Sequence, residues 1–174
     1  MHSLLIEKKT RIKKAIPLIE SKIKIKILFR NGKLFIKGDE LNEFVVLKII
    51  RAIDLGFDPN DALLLTDPNF IFEIINIKEH TRRRNLQEVR KRVIGTKGKA
   101  KRTIEELTGA SIVINDNTVG IIVGTEHSEA AIQAIISLIQ GAKHANVFSY
   151  LEKFNAQLKK TDLEDLGLRD FKAK

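Results

Sequence analysis

Apolar residues recur along this chain with two alternating periods, and the change of period marks its elements. Phe70–Ile77 is a β-branched and aromatic run after Asp67-Pro68-Asn69, the pattern of a strand entered through a turn. Asn85 followed by Glu88 forms a capping box, and Leu86, Val89 and Val93 then repeat at helical spacing up to Gly95. Ala100, Ile104 and Leu107 continue at i, i+4 and i+7, with Gly109 as a left-handed stop, so a second helix begins within four residues. Ser111–Asn115 and Val119–Gly124 flank the polar Asp116-Asn117-Thr118 and predict two strands joined by a turn. From about Ser128, the residues Ile132, Ile135, Ile136 and Ile139 make one apolar stripe ending at Gly141. The predicted order is strand, helix, helix, strand, strand, helix.

The same order is foreshadowed upstream. Sliding the chain by 88 residues places Leu5 and Ile6 on Val93 and Ile94, Ile16 on Ile104, and Ile19 on Leu107. A slide of 86 places Ile36 on Ile122, Gly38 on Gly124, Val46 on Ile132, and Ile49, Ile50 and Ile53 on Ile135, Ile136 and Ile139. Two registers separated by a small loop change point to a diverged tandem repeat. The first copy matches from Leu4 onward, so it is expected to lack the opening strand. Between the copies, Asp58-Pro59 reads as an N-cap with proline at the first helical position, giving a short helix through Leu65.

Composition narrows the function. The 174 residues, 43% apolar and 30% charged, can bury one ordinary core or two small ones sharing an interface. The absence of cysteine excludes disulfides and thiolate zinc sites and fits a reducing compartment. No window approaches the roughly 18 apolar residues of a membrane span, so a soluble, cytoplasmic protein is expected. The net charge of +9 is unevenly distributed. Residues 1–37 hold 11 basic and 2 acidic side chains and residues 78–102 again 11 and 2, whereas residues 38–77 hold 2 and 8 and residues 103–174 hold 7 and 10. Two concentrated basic blocks favour a polyanion partner over a merely solvated surface.

The second basic block contains Gly95-Thr96-Lys97-Gly98 between the two helices. Glycine permits positive φ and close approach of backbone to a ligand, and the following helix offers unpaired N–H groups at its positive end. Arg90, Lys91 and Arg92 precede this turn, and Lys97, Lys99, Lys101 and Arg102 lie in or after it. A tight turn alone would explain the glycines but not the charge, so phosphate contact is the stronger reading. A nucleotide P-loop needs a longer glycine loop after a strand, so ATP binding is disfavoured, and neither cofactor nor metal is expected.

The run from Val93 to Lys99, followed by Ile104-Glu105-Glu106-Leu107-Thr108-Gly109 and an isoleucine-rich strand, resembles the KH domain, whose Gly-x-x-Gly loop holds about four nucleotides of a single strand. Arg92, Glu105–Gly109 and the stretch from Gly141 to Glu152 are together similar to the partner-of-Nob-one family of archaeal and eukaryotic ribosome-assembly proteins. In that family the loop is commonly Gly-Lys-Gly-Gly-Lys, and proline and tyrosine are usual where this chain has Lys143 and Phe148. The resemblance implies an α+β chain of two tandem type I (eukaryotic-type) KH domains, each a three-stranded antiparallel sheet packed on three helices. The expected organisation is a degenerate KH domain at 1–57, a linker with a short helix at 58–69, a KH domain at 70–158 and a polar tail at 159–174. In the first copy, Glu7-Lys8-Lys9-Thr10 stands where the loop should be, without either glycine. Its lysines, and the Lys22, Lys24 and Lys26 that alternate with Ile23, Ile25 and Ile27, fit auxiliary phosphate contacts and a solvated strand face equally well.

These features predict a non-enzymatic single-stranded RNA-binding factor of small-subunit ribosome assembly. Gly95 and Gly98 let the backbone approach, Thr96 and Lys97 meet phosphate at the tip, and Arg92, Lys99, Lys101 and Arg102 supply longer-range charge. Ile94, Ala100, Ile112 and Ile114 are candidates for an apolar floor under the bases. The family further implies binding near the small-subunit rRNA 3′ end, cooperation with the Nob-one endonuclease and contact with the alpha subunit of initiation factor two. The rival readings are an RNA-processing enzyme that carries KH repeats and a protein-binding scaffold without RNA contact. His2, His80, His127 and His144 share no metal-like spacing, and the adjacent Glu105 and Glu106 diverge on their helix, so neither set predicts catalysis. The basic segment 78–102 contains no Phe, Tyr or Trp on which a base could stack.

Overall fold

The computed structural model describes the backbone of residues 2–5, 7–30 and 33–165, and the side chains of residues 7–30 and 33–161. It divides into two compact units, residues 1–76 with 111–125, and residues 77–110 with 126–174.

The first unit holds both sheets. Strand β1 (His2–Leu5) leads to α1 (Lys9–Lys22), β2 (Lys26–Arg30), β3 (Lys33–Lys37), α2 (Glu40–Leu55) and a short α3 (Pro59–Leu63) closed by a 3₁₀ turn at Leu64–Thr66. Strands β4 (Phe70–Asn76), β5 (Ser111–Asn115) and β6 (Thr118–Gly124) make the second sheet. The sheets are antiparallel with strand orders β1-β3-β2 and β4-β6-β5, the same order in each. The expectation that the first copy lacks its opening strand is overturned: His2–Leu5 pairs along β3 from Ile36 to Lys33. The slide by 88 therefore fails at its start, because Leu5 lies in a strand whereas Val93 is helical, and Ile6 lies outside the described residues. Its later matches, Ile16 with Ile104 and Ile19 with Leu107, fall on helices.

Burial explains why these segments form these elements. On β3, Leu34 and Ile36 are buried while Lys33 and Lys37 are exposed, the alternation of a strand with one face on a core. Ile23, Ile25 and Ile27 are buried and Lys22, Lys24 and Lys26 exposed, although only Lys26 belongs to β2 and Lys22 ends α1. Strand β6 lies between two partners and is buried from Val119 to Val123, which accounts for its unbroken apolar run. Gly120 gives the Leu55 and Phe57 side chains their room, because a Cβ would come within 2.3 Å of the Leu55 side chain and 2.8 Å of the Phe57 ring and both would have to move. Phe57 also meets Phe72 edge-on at 5.8 Å, and Ile122 joins the core made by α1, α2 and β3. The expected boundaries near 57 and 70 thus do not coincide with the compact units, since the second sheet shares a core with the first copy.

The second unit is helical. A single turn α4 (Ile77–His80) precedes α5 (Leu86–Ile94), a 3₁₀ turn at Thr96–Gly98, α6 (Lys99–Thr108), α7 (Thr125–Gln140) and α8 (His144–Asp165). The Asn85 side chain accepts from the Glu88 N–H and caps α5, as the capping box predicts. Helix α8 packs on α6 through Val147 and Leu151, both buried, and through the Asn155 Nδ2 that donates to Leu107 O at 2.7 Å. This helix runs past residue 158, so the polar segment expected from residue 159 begins inside it, and residues 166–174 lie outside the described residues.

Candidate nucleic-acid interface

The turn between α5 and α6 is built on two glycines with different tasks. Gly95 ends α5 with φ 75° and ψ 172°, a region open essentially only to glycine. A Cβ on it would also stand 2.6 Å from the Ala100 backbone nitrogen, so the first strand of the turn lies directly against the start of α6. Gly98, at φ 75° and ψ 13°, faces open space and is needed for its left-handed conformation alone. Between them Lys97 also adopts φ 52°, and Thr96 and Lys97 are exposed at the tip. The turn closes on its own backbone: the Gly98 N–H donates to Gly95 O at 3.1 Å and the Lys99 N–H to Thr96 O, which leaves the tip residues Thr96 and Lys97 to face an outside anion.

The start of α1, where the sequence comparison sets Glu7-Lys8-Lys9-Thr10 against this turn, is built differently. The Asp54 carboxylate accepts from the Lys8 N–H at 2.7 Å and the Glu7 N–H at 3.1 Å, and Lys8 Nζ donates to Leu55 O at 2.8 Å. The backbone N–H groups ahead of α1 are thus taken by an internal carboxylate, and the Lys8 ammonium by a carbonyl.

The expected cations divide by role. Lys97 and Lys99 are exposed at the turn. Lys101 pairs with Glu105 at 3.3 Å on the same helix, a contact worth only tenths of a kcal/mol, roughly, yet one that offsets part of its charge. Arg102 reaches back so that Nη2 donates to Lys97 O at 2.7 Å, and so holds the turn in shape. Arg92 points inward: its Nη2 donates to Gly141 O at 2.8 Å and to Ala142 O, at the negative end of α7. Its own carbonyl accepts from His144 Nε2 at 2.8 Å. These bonds join the two distant segments whose residues carried the family resemblance and fix the end of α5 to the start of α8.

The apolar candidates also separate. Ile94 is 36% exposed and presents a hydrophobic surface beside the turn, and Ile114 is half-buried. Ile112, at 1% exposed, is a core residue, because the inward face of β5 takes it; it offers no floor to a base. Ala100 is buried against Gly95. Two residues outside the expected set meet the turn: His144 and Phe148, one helical turn apart on α8, line a cleft of about 250 Å³ with Gly95, Thr96, Lys99 and Ala100. Another, of about 560 Å³, shares Thr96 and Lys99 with it and is further lined by Lys97, Arg102, Thr103 and Glu106. Among the described residues no group of three or more histidines and carboxylates is placed to hold a metal, and no helix is long and apolar enough to cross a membrane.

Residues 71–156 match a family model described as the eukaryotic-type KH domain, KH-domain type I. The chain is 34% identical over 168 residues to the KH domain-containing protein MJ0443 of Methanocaldococcus jannaschii, covering 92% of this chain and 73% of that one. It belongs to the PNO1/Dim2 family of KH-domain proteins. The pre-rRNA-processing protein pno1 of Aspergillus oryzae is 33% identical over 114 residues, and the match covers 63% of this chain and 44% of that protein. The chain thus spans less than half the length of this fungal relative. Dim2p of Pyrococcus horikoshii has a similar fold, with a TM-score of 0.77, 33% identity and coverage of 87% of this chain and 98% of that one. The same protein solved in an a/eIF2alpha–aDim2p–rRNA complex gives a TM-score of 0.74 at 35% identity, over 88% and 87% of the two chains. The Gly95–Gly98 turn and the Arg92–His144 bonds both fall inside the matched KH segment.

Proposed function

We propose that this chain is a non-catalytic, single-stranded RNA-binding factor of small ribosomal subunit assembly, acting in the cytoplasm through the Gly95–Lys99 turn. The observation that carries the reading is the turn itself: two positive-φ glycines with an exposed Thr96 and Lys97 between them, at the start of a lysine-rich helix. Backbone N–H groups there can take a phosphodiester oxygen while Lys97 and Lys99 neutralise its charge, and Ile94 offers apolar surface to the adjoining sugar or base. The names of the relatives, pre-rRNA-processing proteins and an archaeal Dim2p solved with rRNA, support the same process.

The working site lies in a KH domain of residues 70–158, with residues 1–57 as a degenerate KH copy joined by the segment 58–69. The shared strand order of the two sheets and the Asp54 carboxylate at the first copy's helix start support that division of labour. The preferred strand lies near the small-subunit rRNA 3′ end. The alpha subunit of initiation factor two is one protein partner, in keeping with the archaeal complex, and cooperation with the Nob-one endonuclease follows from the family resemblance alone.

Contact with about four to six phosphates of a single strand sets a salt dependence: log affinity against log salt should fall with a slope of about −3 to −4. Fluorescence anisotropy across a salt series measures it. A flat response means that the ligand is not held by its phosphates.

A further inference from the structure

We propose that the cleft between the Gly95–Ala100 turn and the start of α8 is a base-stacking subsite, in which Phe148 and His144 receive one unpaired nucleobase of the RNA held on the turn. The inference rests on the RNA reading above and adds an aromatic stacking site to the phosphate grip and the apolar surface of Ile94 described there.

Helix α8 presents Val147 and Leu151 to the interior, where both are buried, but Phe148 stands off that face and stays half-buried at the cleft. His144 lies one turn earlier, so the two rings share a side of the helix, with centroids 6.1 Å apart and planes inclined by 47°. The imidazole is tethered. Its Nε2 meets the Arg92 carbonyl at 2.8 Å, and because a carbonyl only accepts, Nε2 donates there and restrains the ring. A ring already immobilised loses little entropy when a ligand packs on it.

The opposite wall is backbone. Gly95 has no side chain, and Ala100 has only a methyl, so one aromatic plane can lie between the turn and Phe148. At about 250 Å³ the cleft falls below the roughly 300–1,000 Å³ that engulfs a drug-sized ligand, and it suits a single planar ring. Lys99 at its rim puts a cation beside the phosphate of the same nucleotide. The basic segment lacks a Phe, Tyr or Trp of its own, and α8 supplies one from about 50 residues further along the chain. Stacking of this kind tolerates any base, because every base has a π-face.

The test uses the intact protein and a short single-stranded RNA ending in the small-subunit rRNA 3′ sequence, together with the same RNA made abasic at one position at a time. With the wild-type protein, loss of one particular base should weaken binding about tenfold. Phe148→Leu and Phe148→Met, each checked for an unchanged unfolding midpoint, should weaken the intact RNA by a similar factor, erase the penalty at that one position and leave the salt slope unaltered. Phe148→Tyr should bind like the wild type. The subsite is overturned if no single abasic position matters to the wild type, or if the Leu and Met variants keep the same abasic profile. In either case a loop variant, Thr96→Asp with Lys97→Asp, that still loses binding leaves the RNA reading intact. A loop variant that binds normally removes that reading and the subsite with it.

Discussion

The double variant Thr96→Asp, Lys97→Asp should bind single-stranded RNA at least about a hundredfold more weakly than the wild type at matched salt, with no loss of stability. Hydrogen bonds to charged groups are worth about 1.5–3 kcal/mol each, so removing the Lys97 cation and setting two carboxylates against a phosphate costs about 3 kcal/mol or more. The fold should respond in the opposite direction. Both side chains are exposed, aspartate tolerates the left-handed backbone at position 97 better than lysine, and a carboxylate ahead of α6 sits at the favourable end of its dipole. Paired binding isotherms and thermal unfolding curves separate the two effects. Wild-type affinity would exclude the turn as the contact point.

Gly95→Ala should be the most damaging single substitution in the turn, while Gly98→Ala, three residues away, should be mild. Both positions have a φ of 75°, so both variants carry left-handed strain, about 1–2 kcal/mol at Gly98. Only Gly95 combines that φ with a ψ of 172° and with a close approach to the Ala100 nitrogen that a methyl cannot share. The backbone must shift to admit it, for a total of about 3–5 kcal/mol out of the roughly 5–15 kcal/mol that holds an ordinary domain together. Urea denaturation of the two variants compares them directly. Equal midpoints would mean that the turn does not press on α6.

Much of this was legible because the signals were local. The strand at Phe70, the capping box at Asn85, the glycine stop at Gly109 and the stripe of α7 are each specified by residues within one turn or one strand of each other, and the structure places elements at all of them. Strand β1 was missed for the opposite reason. Four residues with two leucines carry almost no period, and their strand conformation comes from pairing with β3 some thirty residues away. Arg92 stands in the sequence as a family-motif residue and a source of longer-range charge, and nothing near it in the chain reveals the two carbonyls after α7 that it holds. Asp54 stood in an acidic block with no sign that it closes the start of α1. Phe148 was visible as part of a family motif, yet the cleft it lines exists only once α8 lies on α6. Ile112 failed as a floor residue because alternation along a strand tells which residues share a face but not how deeply that face is buried.

The most direct test is a backbone-amide NMR titration of the intact protein with single-stranded RNA from the small-subunit rRNA 3′ end. The largest shift changes should fall within residues 95–100, foremost on the tip amides of Thr96 and Lys97, with little change at Glu7 and Lys8, whose N–H groups Asp54 already occupies. Changes confined to other surfaces, with the Gly95–Ala100 amides unmoved at saturation, would contradict the account.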